Sequence, residues 1–76
     1  MTDTRRLIRS ELADGIVCIR LNRPSVNALS ATLLMDFAEM IDTVDADHSV
    51  RAIVIDSSFK VFSAGLDLKE AQDFDI

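Results

Sequence analysis

The chain has 76 residues and a formal net charge of −5, from 13 acidic and 8 basic residues. Its apolar content of 49%, with two glycines and one proline, excludes a disordered or fibrous chain and predicts one small globular domain at most. No basic cluster extends beyond Arg5-Arg6, which argues against nucleic acid as a partner. No apolar run reaches the ~20 residues of a transmembrane helix, so we expect a soluble protein without membrane contact.

The single cysteine and the first residues predict an intracellular protein. Cys18 has no second cysteine for an internal disulfide, and its place in an apolar run predicts a packing role. The start of the chain shows neither the apolar core of a secretory signal nor an evident targeting segment. We therefore expect a cytoplasmic, bacterial-type location rather than a mitochondrial or peroxisomal one.

The chain opens with the pattern of a β-hairpin. Two extended runs, Leu7–Ala13 and Ile16–Leu21, flank Asp14-Gly15, a dipeptide typical of a tight hairpin turn. The second run alternates between apolar and mixed positions, which predicts a strand with one buried face. Asn22-Arg23-Pro24 ends this strand, because proline cannot donate to a ladder.

The next segments alternate between helix and strand. Ser30 is placed to cap a helix over Ala31–Val44, whose apolar residues recur at intervals of three and four. After a polar break, Ala52–Ile55 has the continuous β-branched character of a strand buried on both faces. A second helix is expected to start near Leu66–Lys69. This order predicts an α/β fold with a mostly parallel sheet and the hairpin as its antiparallel edge.

The segment from Phe62 to Leu68 is the candidate ligand site, because it follows the buried strand and precedes a helix. Small residues at Ser63, Ala64 and Gly65 permit close approach to the backbone, and N–H groups there would face an anionic or developing-negative oxygen. Considered without other information, the same residues are better explained as an ordinary strand-to-helix turn.

The other candidate sites give little indication of a function. His48 lies in a polar loop and is interpreted as a solvated side chain, and no spacing of Cys, His and carboxylates indicates a metal site. The two glycines compose neither a dinucleotide fingerprint nor a P-loop.

Four blocks of the sequence, in order and in spacing, resemble the enoyl-CoA hydratase/isomerase (crotonase) family. The resemblance extends over about residues 12 to 71 and implies that residues 1–76 are the amino-terminal portion of a longer crotonase-like domain. The blocks are Ile19 to Pro24, Val26 to Leu29, Val50 to Ile55 and Phe62 to Glu70.

The resemblance implies that a CoA thioester binds as substrate, without a further cofactor, and that two backbone N–H groups receive its carbonyl oxygen. The Leu66 N–H matches the first of these donors. As an acid, Asp67 is interpreted as a cap or charge partner of the following helix and not as the catalytic carboxylate. The full-length family form is expected to be a homotrimer or hexamer. The residues that match the substrate-binding segments are Arg23, Ser25, Ser63, Ala64, Gly65, Leu66, Asp67 and Leu68.

The family's second N–H donor and its acid/base carboxylate fall in segments that match nothing in these 76 residues, so neither is assigned. The short connection Pro24-Ser25-Val26-Asn27 favours the Δ3,Δ2-enoyl-CoA isomerase branch over the hydratases. The alternative is a truncated, non-catalytic protein that binds CoA or joins other subunits through an open sheet edge.

Overall fold

The computed structural model describes residues 5–71, which form a three-stranded sheet packed against a long helix. The expected hairpin, helix, strand and second helix are all found, in an α/β arrangement. Within residues 5–71 no helix has the length and apolar character needed to cross a membrane. The elements are β1 (Leu7–Ala13), β2 (Ile16–Leu21), α1 (Ala31–Asp45), β3 (Ala52–Ser57) and α2 (Leu68–Ala71).

β2 is the central strand of the sheet. It pairs antiparallel with β1 and parallel with β3, so the hairpin provides the antiparallel edge, as predicted. The hairpin turn has positive φ at both Asp14 (43°) and Gly15 (82°), which suits the right-handed twist of the strands. The Gly15 carbonyl accepts a hydrogen bond of 2.7 Å from the Arg51 N–H, and a Cβ at Gly15 would collide with the Ser49 carbonyl oxygen. The turn therefore also holds the chain that enters β3.

The hydrophobic core lies between α1 and one face of the sheet. α1 begins at the predicted residue and ends one residue beyond the predicted Val44. The Ser30 hydroxyl caps it by accepting a hydrogen bond of 3.1 Å from the Leu33 N–H, as expected. The buried members of this core are Leu7, Val17, Ile19, Leu21, Leu33 and Val44.

β3 differs from the sequence prediction in its burial. The strand is present, but Ile53, Val54 and Ile55 remain 39%, 43% and 40% exposed. Within residues 5–71, β3 is an edge strand and the core centres on β2, so these residues cannot cover both faces of β3. Further apolar exposure lies nearby at Phe62, Leu66 and Leu68.

We expect the 76-residue polypeptide, when produced by itself, to self-associate, because an open strand edge pairs readily with another chain. Val54→Lys places a charge on the face of β3 that α1 does not cover. Because this charge opposes burial against another chain, the variant should be shifted toward monomer. Sedimentation velocity on both variants over a range of concentrations tests this. A strictly monomeric unmodified chain with a sharp thermal transition would contradict it.

A bidentate ion pair joins the two parallel strands. Arg20 and Asp56 are register partners, and the guanidinium donates to the two carboxylate oxygens at 2.9 and 2.8 Å. These hydrogen bonds from Arg20 hold the pKa of Asp56 below its usual value. Beside them, burial raises the pKa of the Cys18 thiol, which lies 3.4 Å from Asp56 Oδ1; the predicted packing role of Cys18 fits its buried position.

This ion pair should make stability depend on acidity. Because the Asp56 pKa is lower in the folded state, its contribution is present above the unfolded value of about 3.9 and is lost as the pH falls through the folded value. Asp56→Asn and Arg20→Gln should therefore both lower stability at pH 7. Both should approach the unmodified chain under strong acid. Urea unfolding at several pH values measures the difference, and a constant difference down to acid pH would refute the assignment.

Candidate functional site

Two loops from distant parts of the sequence meet beyond the carboxyl ends of β2 and β3. The first loop follows β2, and the second contains the candidate segment before α2. Leu29 and Leu66 form an isolated parallel bridge between them. The Ser58 N–H also donates to the Leu21 carbonyl at 2.9 Å, which fixes the start of the second loop against the end of β2. The expectation that the candidate segment lies at this sheet edge is thereby met.

The fully buried side chain of Asn27 joins the two loops. Its Oδ1 accepts from the Arg23 N–H at 2.8 Å, while its Nδ2 donates to Ser57 Oγ at 2.8 Å and to the Phe62 carbonyl at 2.9 Å. Asn27 also adopts φ of 51°, a left-handed conformation that asparagine tolerates better than most residues. Sequence reasoning placed this residue in the family blocks but gave it no role.

Gly65 and Leu66 form the turn at the centre of the site. Gly65 has φ of 84°, so its conformation favours glycine, yet an added Cβ would meet no atom of residues 5–71 within 4 Å. In the bridge, the Leu29 N–H donates to the Gly65 carbonyl at 2.7 Å and the Asp67 N–H donates to the Leu29 carbonyl at 3.1 Å. This parallel pattern directs the Leu66 N–H to the opposite side of the segment.

Ser63 and Ala64 hold the start of the turn against the first loop. Ser63 Oγ donates to the Asn27 carbonyl at 2.8 Å and accepts from the Gly65 N–H at 3.0 Å. The Ala64 N–H donates to the Val26 carbonyl at 2.8 Å. Three of the four N–H groups of residues 64–67 thus donate within the described chain, and the fourth, that of Leu66, does not.

Arg23 and Asp67 face each other across the two loops. Arg23 Nη1 lies 3.0 Å from Asp67 Oδ2 and donates to the Ala28 carbonyl at 2.8 Å. Asp67 Oδ1 accepts from the Glu70 N–H at 3.1 Å, which is the capping arrangement predicted from the sequence. That N–H and the Arg23 guanidinium lower the Asp67 pKa, so the carboxylate is anionic at neutral pH.

The remaining predicted residues lie at the rim. Ser25 is exposed on the first loop, and Leu68 is 74% exposed at the start of α2. Sequence reasoning missed a contact nearby, in which Glu70 Oε1 accepts from the Ala31 N–H at 2.7 Å. An apolar cavity of about 200 Å³ borders the segment at Phe62, whereas a larger one of about 560 Å³ lies away from the site, beside Arg6 and Asp36.

Two other sequence interpretations concern side chains outside this region. His48 is exposed in the loop between α1 and β3, as expected of a solvated histidine. Within residues 5–71, no group of three or more His, Cys, Asp and Glu side chains could hold a metal ion.

Comparison with known proteins finds a matching family and similar relatives. The model of the enoyl-CoA hydratase/isomerase family matches residues 11–75. A 4-chlorobenzoyl coenzyme A dehalogenase from Arthrobacter is 47% identical over 64 residues, which are 83% of this chain and 23% of the dehalogenase. The chain thus spans about a quarter of that relative's length.

Solved structures agree with the sequence match. The human mitochondrial Δ3,Δ2-enoyl-CoA isomerase superposes with a TM-score of 0.82 at 32% identity, over 87% of this chain and 26% of the isomerase. An enoyl-CoA hydratase from Mycobacterium tuberculosis gives a TM-score of 0.80 at 34% identity, over 91% of this chain and 31% of the hydratase. The fold is therefore that of the crotonase family, and the chain belongs to the enoyl-CoA hydratase/isomerase family.

Proposed function

We propose that this chain contributes one oxyanion donor and part of the CoA-binding surface to an acyl-CoA-processing enzyme. One observation carries the proposal: the Leu66 N–H is left without a partner in residues 5–71, while the N–H groups of Ala64, Gly65 and Asp67 are held in place. A fixed N–H that costs no reorganisation is what stabilises a developing negative charge. Its donor is backbone, so the apolar Leu66 side chain is no obstacle.

The reaction follows from the chemistry of a thioester. A base removes the proton from an activated carbon, and the electron pair passes to the carbonyl oxygen as an enolate. The Leu66 N–H stabilises that oxygen. Return of the proton to a different carbon completes an isomerisation, whereas attack of water on an enoyl thioester passes through a similar enolate in a hydratase. The short connection before Asn27 favours the isomerase. We assign no base and no second donor to residues of this chain.

The CoA moiety is proposed to run along the rim formed by the two loops. Arg23 keeps donors beyond Nη1 for a phosphate or carbonyl oxygen, Ser25 is exposed beside it, and Ser63 to Leu68 lines the path to the thioester. Because the Arg23 guanidinium already neutralises Asp67, its charge is only partly available to the phosphates. A cytoplasmic homotrimer or hexamer is the assembly proposed for the whole protein.

A second candidate is a non-catalytic protein that joins other subunits or binds CoA weakly. The open edge of β3 and its exposed apolar side chains favour it. The reading frame beyond Ile76 separates the two: a Gly-rich block followed by a glutamate supports the enzyme, and a stop codon supports the second candidate.

We expect the 76-residue polypeptide by itself to lack isomerase and hydratase activity. One proposed donor is present without a base, and loss of a single oxyanion donor typically costs about 10²–10³ in rate. An assay with 2-enoyl- and 3-enoyl-CoA thioesters, on protein from a host that lacks its own enoyl-CoA enzymes, tests this. Turnover by the 76-residue polypeptide would contradict the expectation.

Substitutions at Gly65 and Leu66 in the complete enzyme test the oxyanion assignment. Gly65→Val places a β-branched side chain where φ is positive and beside the proposed thioester oxygen, so kcat/KM should fall strongly. Leu66→Met retains the N–H and nearly the same volume and should cost little.

Gly65→Asn serves as the control for backbone strain, because asparagine tolerates a left-handed conformation. If the site requires close approach of the ligand, this variant should also lose kcat/KM while its thermal midpoint stays near that of the unmodified enzyme. If the turn has only a structural role, the activity of each variant will follow its stability. A folded and fully active Gly65→Val enzyme would eliminate the assignment.

A further inference from the structure

Asn27 is distinguished by the number of separate segments that one buried side chain joins. Its carboxamide contacts the Arg23 N–H after β2, the Ser57 hydroxyl at the end of β3 and the Phe62 carbonyl just before Ser63. All three bonds lie between 2.8 and 2.9 Å, and the residue is fully buried. One acceptor and two donors are used together, and only a carboxamide offers that set in so short a side chain.

The backbone of Asn27 is also connected, through hydrogen bonds, to the turn that contains the Leu66 N–H. The Asn27 carbonyl accepts from Ser63 Oγ at 2.8 Å, and Ser63 Oγ in turn accepts from the Gly65 N–H at 3.0 Å. The Ala64–Gly65 peptide, which directly precedes the peptide that carries the Leu66 N–H, is therefore held by a hydrogen-bonded chain that starts at Asn27. The Nδ2 bond to the Phe62 carbonyl fixes the other end of the same short segment.

We infer that Asn27 is a positioning residue, which aims the Leu66 N–H at the thioester oxygen by fixing residues 62 to 65 against the first loop and β3. The inference rests on the proposed function. Asn27 is fully buried, so its side chain offers no surface for contact with a substrate. Its loss should therefore impair the chemical step much more than the binding of CoA.

The test variant is Asn27→Gly, made in the polypeptide that the complete reading frame encodes. Glycine accepts the positive φ without strain, so this change removes the carboxamide and leaves the backbone conformation available. The matched control is Asp14→Gly in the hairpin turn, because Asp14 is the other non-glycine residue of the described chain with positive φ. Ser57→Ala is a milder second variant, since it removes one partner of Asn27 Nδ2.

Kinetics with 2-enoyl- and 3-enoyl-CoA thioesters, and the affinity for free CoA, give the readouts. A misplacement of about 1 Å can cost roughly 10² in rate, so kcat should fall about 10²-fold in Asn27→Gly. The fall should be smaller in Ser57→Ala and absent in Asp14→Gly. Free CoA lacks the thioester carbonyl, so its Kd should rise far less than kcat falls. In [¹⁵N]leucine-labelled protein, the Leu66 amide resonance should shift in Asn27→Gly and Ser57→Ala only.

Three contrary results have different meanings. An unmodified protein that turns over neither thioester overturns the proposed function, and the inference falls with it. An active protein in which Asn27→Gly and Ser57→Ala behave like Asp14→Gly overturns only the role of Asn27. A loss of kcat that matches an equal loss of CoA affinity or of folded protein also overturns it, because Asn27 would then be purely structural.

Discussion

The loop region depends on a buried carboxamide that must satisfy every one of its polar atoms. A buried amide that lost its partners would cost about 1–3 kcal/mol for each group left unpaired. This cost favours the one arrangement in which Asn27 and its three partners are all hydrogen-bonded. The partners belong to segments separated by 30 or more residues, apart from Arg23. A local hydrogen-bond requirement thereby sets a long-range geometry.

Within residues 5–71, that geometry leaves the Leu66 N–H without a hydrogen-bond partner, whereas the N–H groups of Gly65 and Asp67 both donate. The bridge between Leu29 and Leu66 uses the peptides on either side of Leu66, and Ser63 holds the Gly65 N–H. The Leu66 N–H is thus preorganised by its neighbours and not by a bond of its own. The Arg23–Asp67 ion pair closes the same two loops from the outside, where its partial exposure makes it a weaker link than the buried amide.

The sequence predicted the elements well, because their signals are local. Asp14-Gly15 fixes the hairpin, Ser30 fixes the start of α1, and the β-branched run identifies β3. The partial exposure of β3 was not predicted, because the burial of a strand depends on which chain segments cover it and not on its own composition. The contacts of Asn27 were missed for a related reason. Asn27 lies in a loop after β2, and its partners Ser57 and Phe62 can be identified only once the fold brings them together.

The contact between Glu70 and the Ala31 N–H bears on the order of folding. The first turn of α1 contains no acidic residue of its own, so the negative charge favoured at a helix amino terminus comes from a carboxylate 39 residues further along the chain. Until α2 docks, the Ala31 N–H must be hydrated and the start of α1 lacks that charge. The first turn of α1 therefore gains this stabilisation only when α2, the last described element, packs against it. Fraying of α2 should in turn increase fraying at the start of α1.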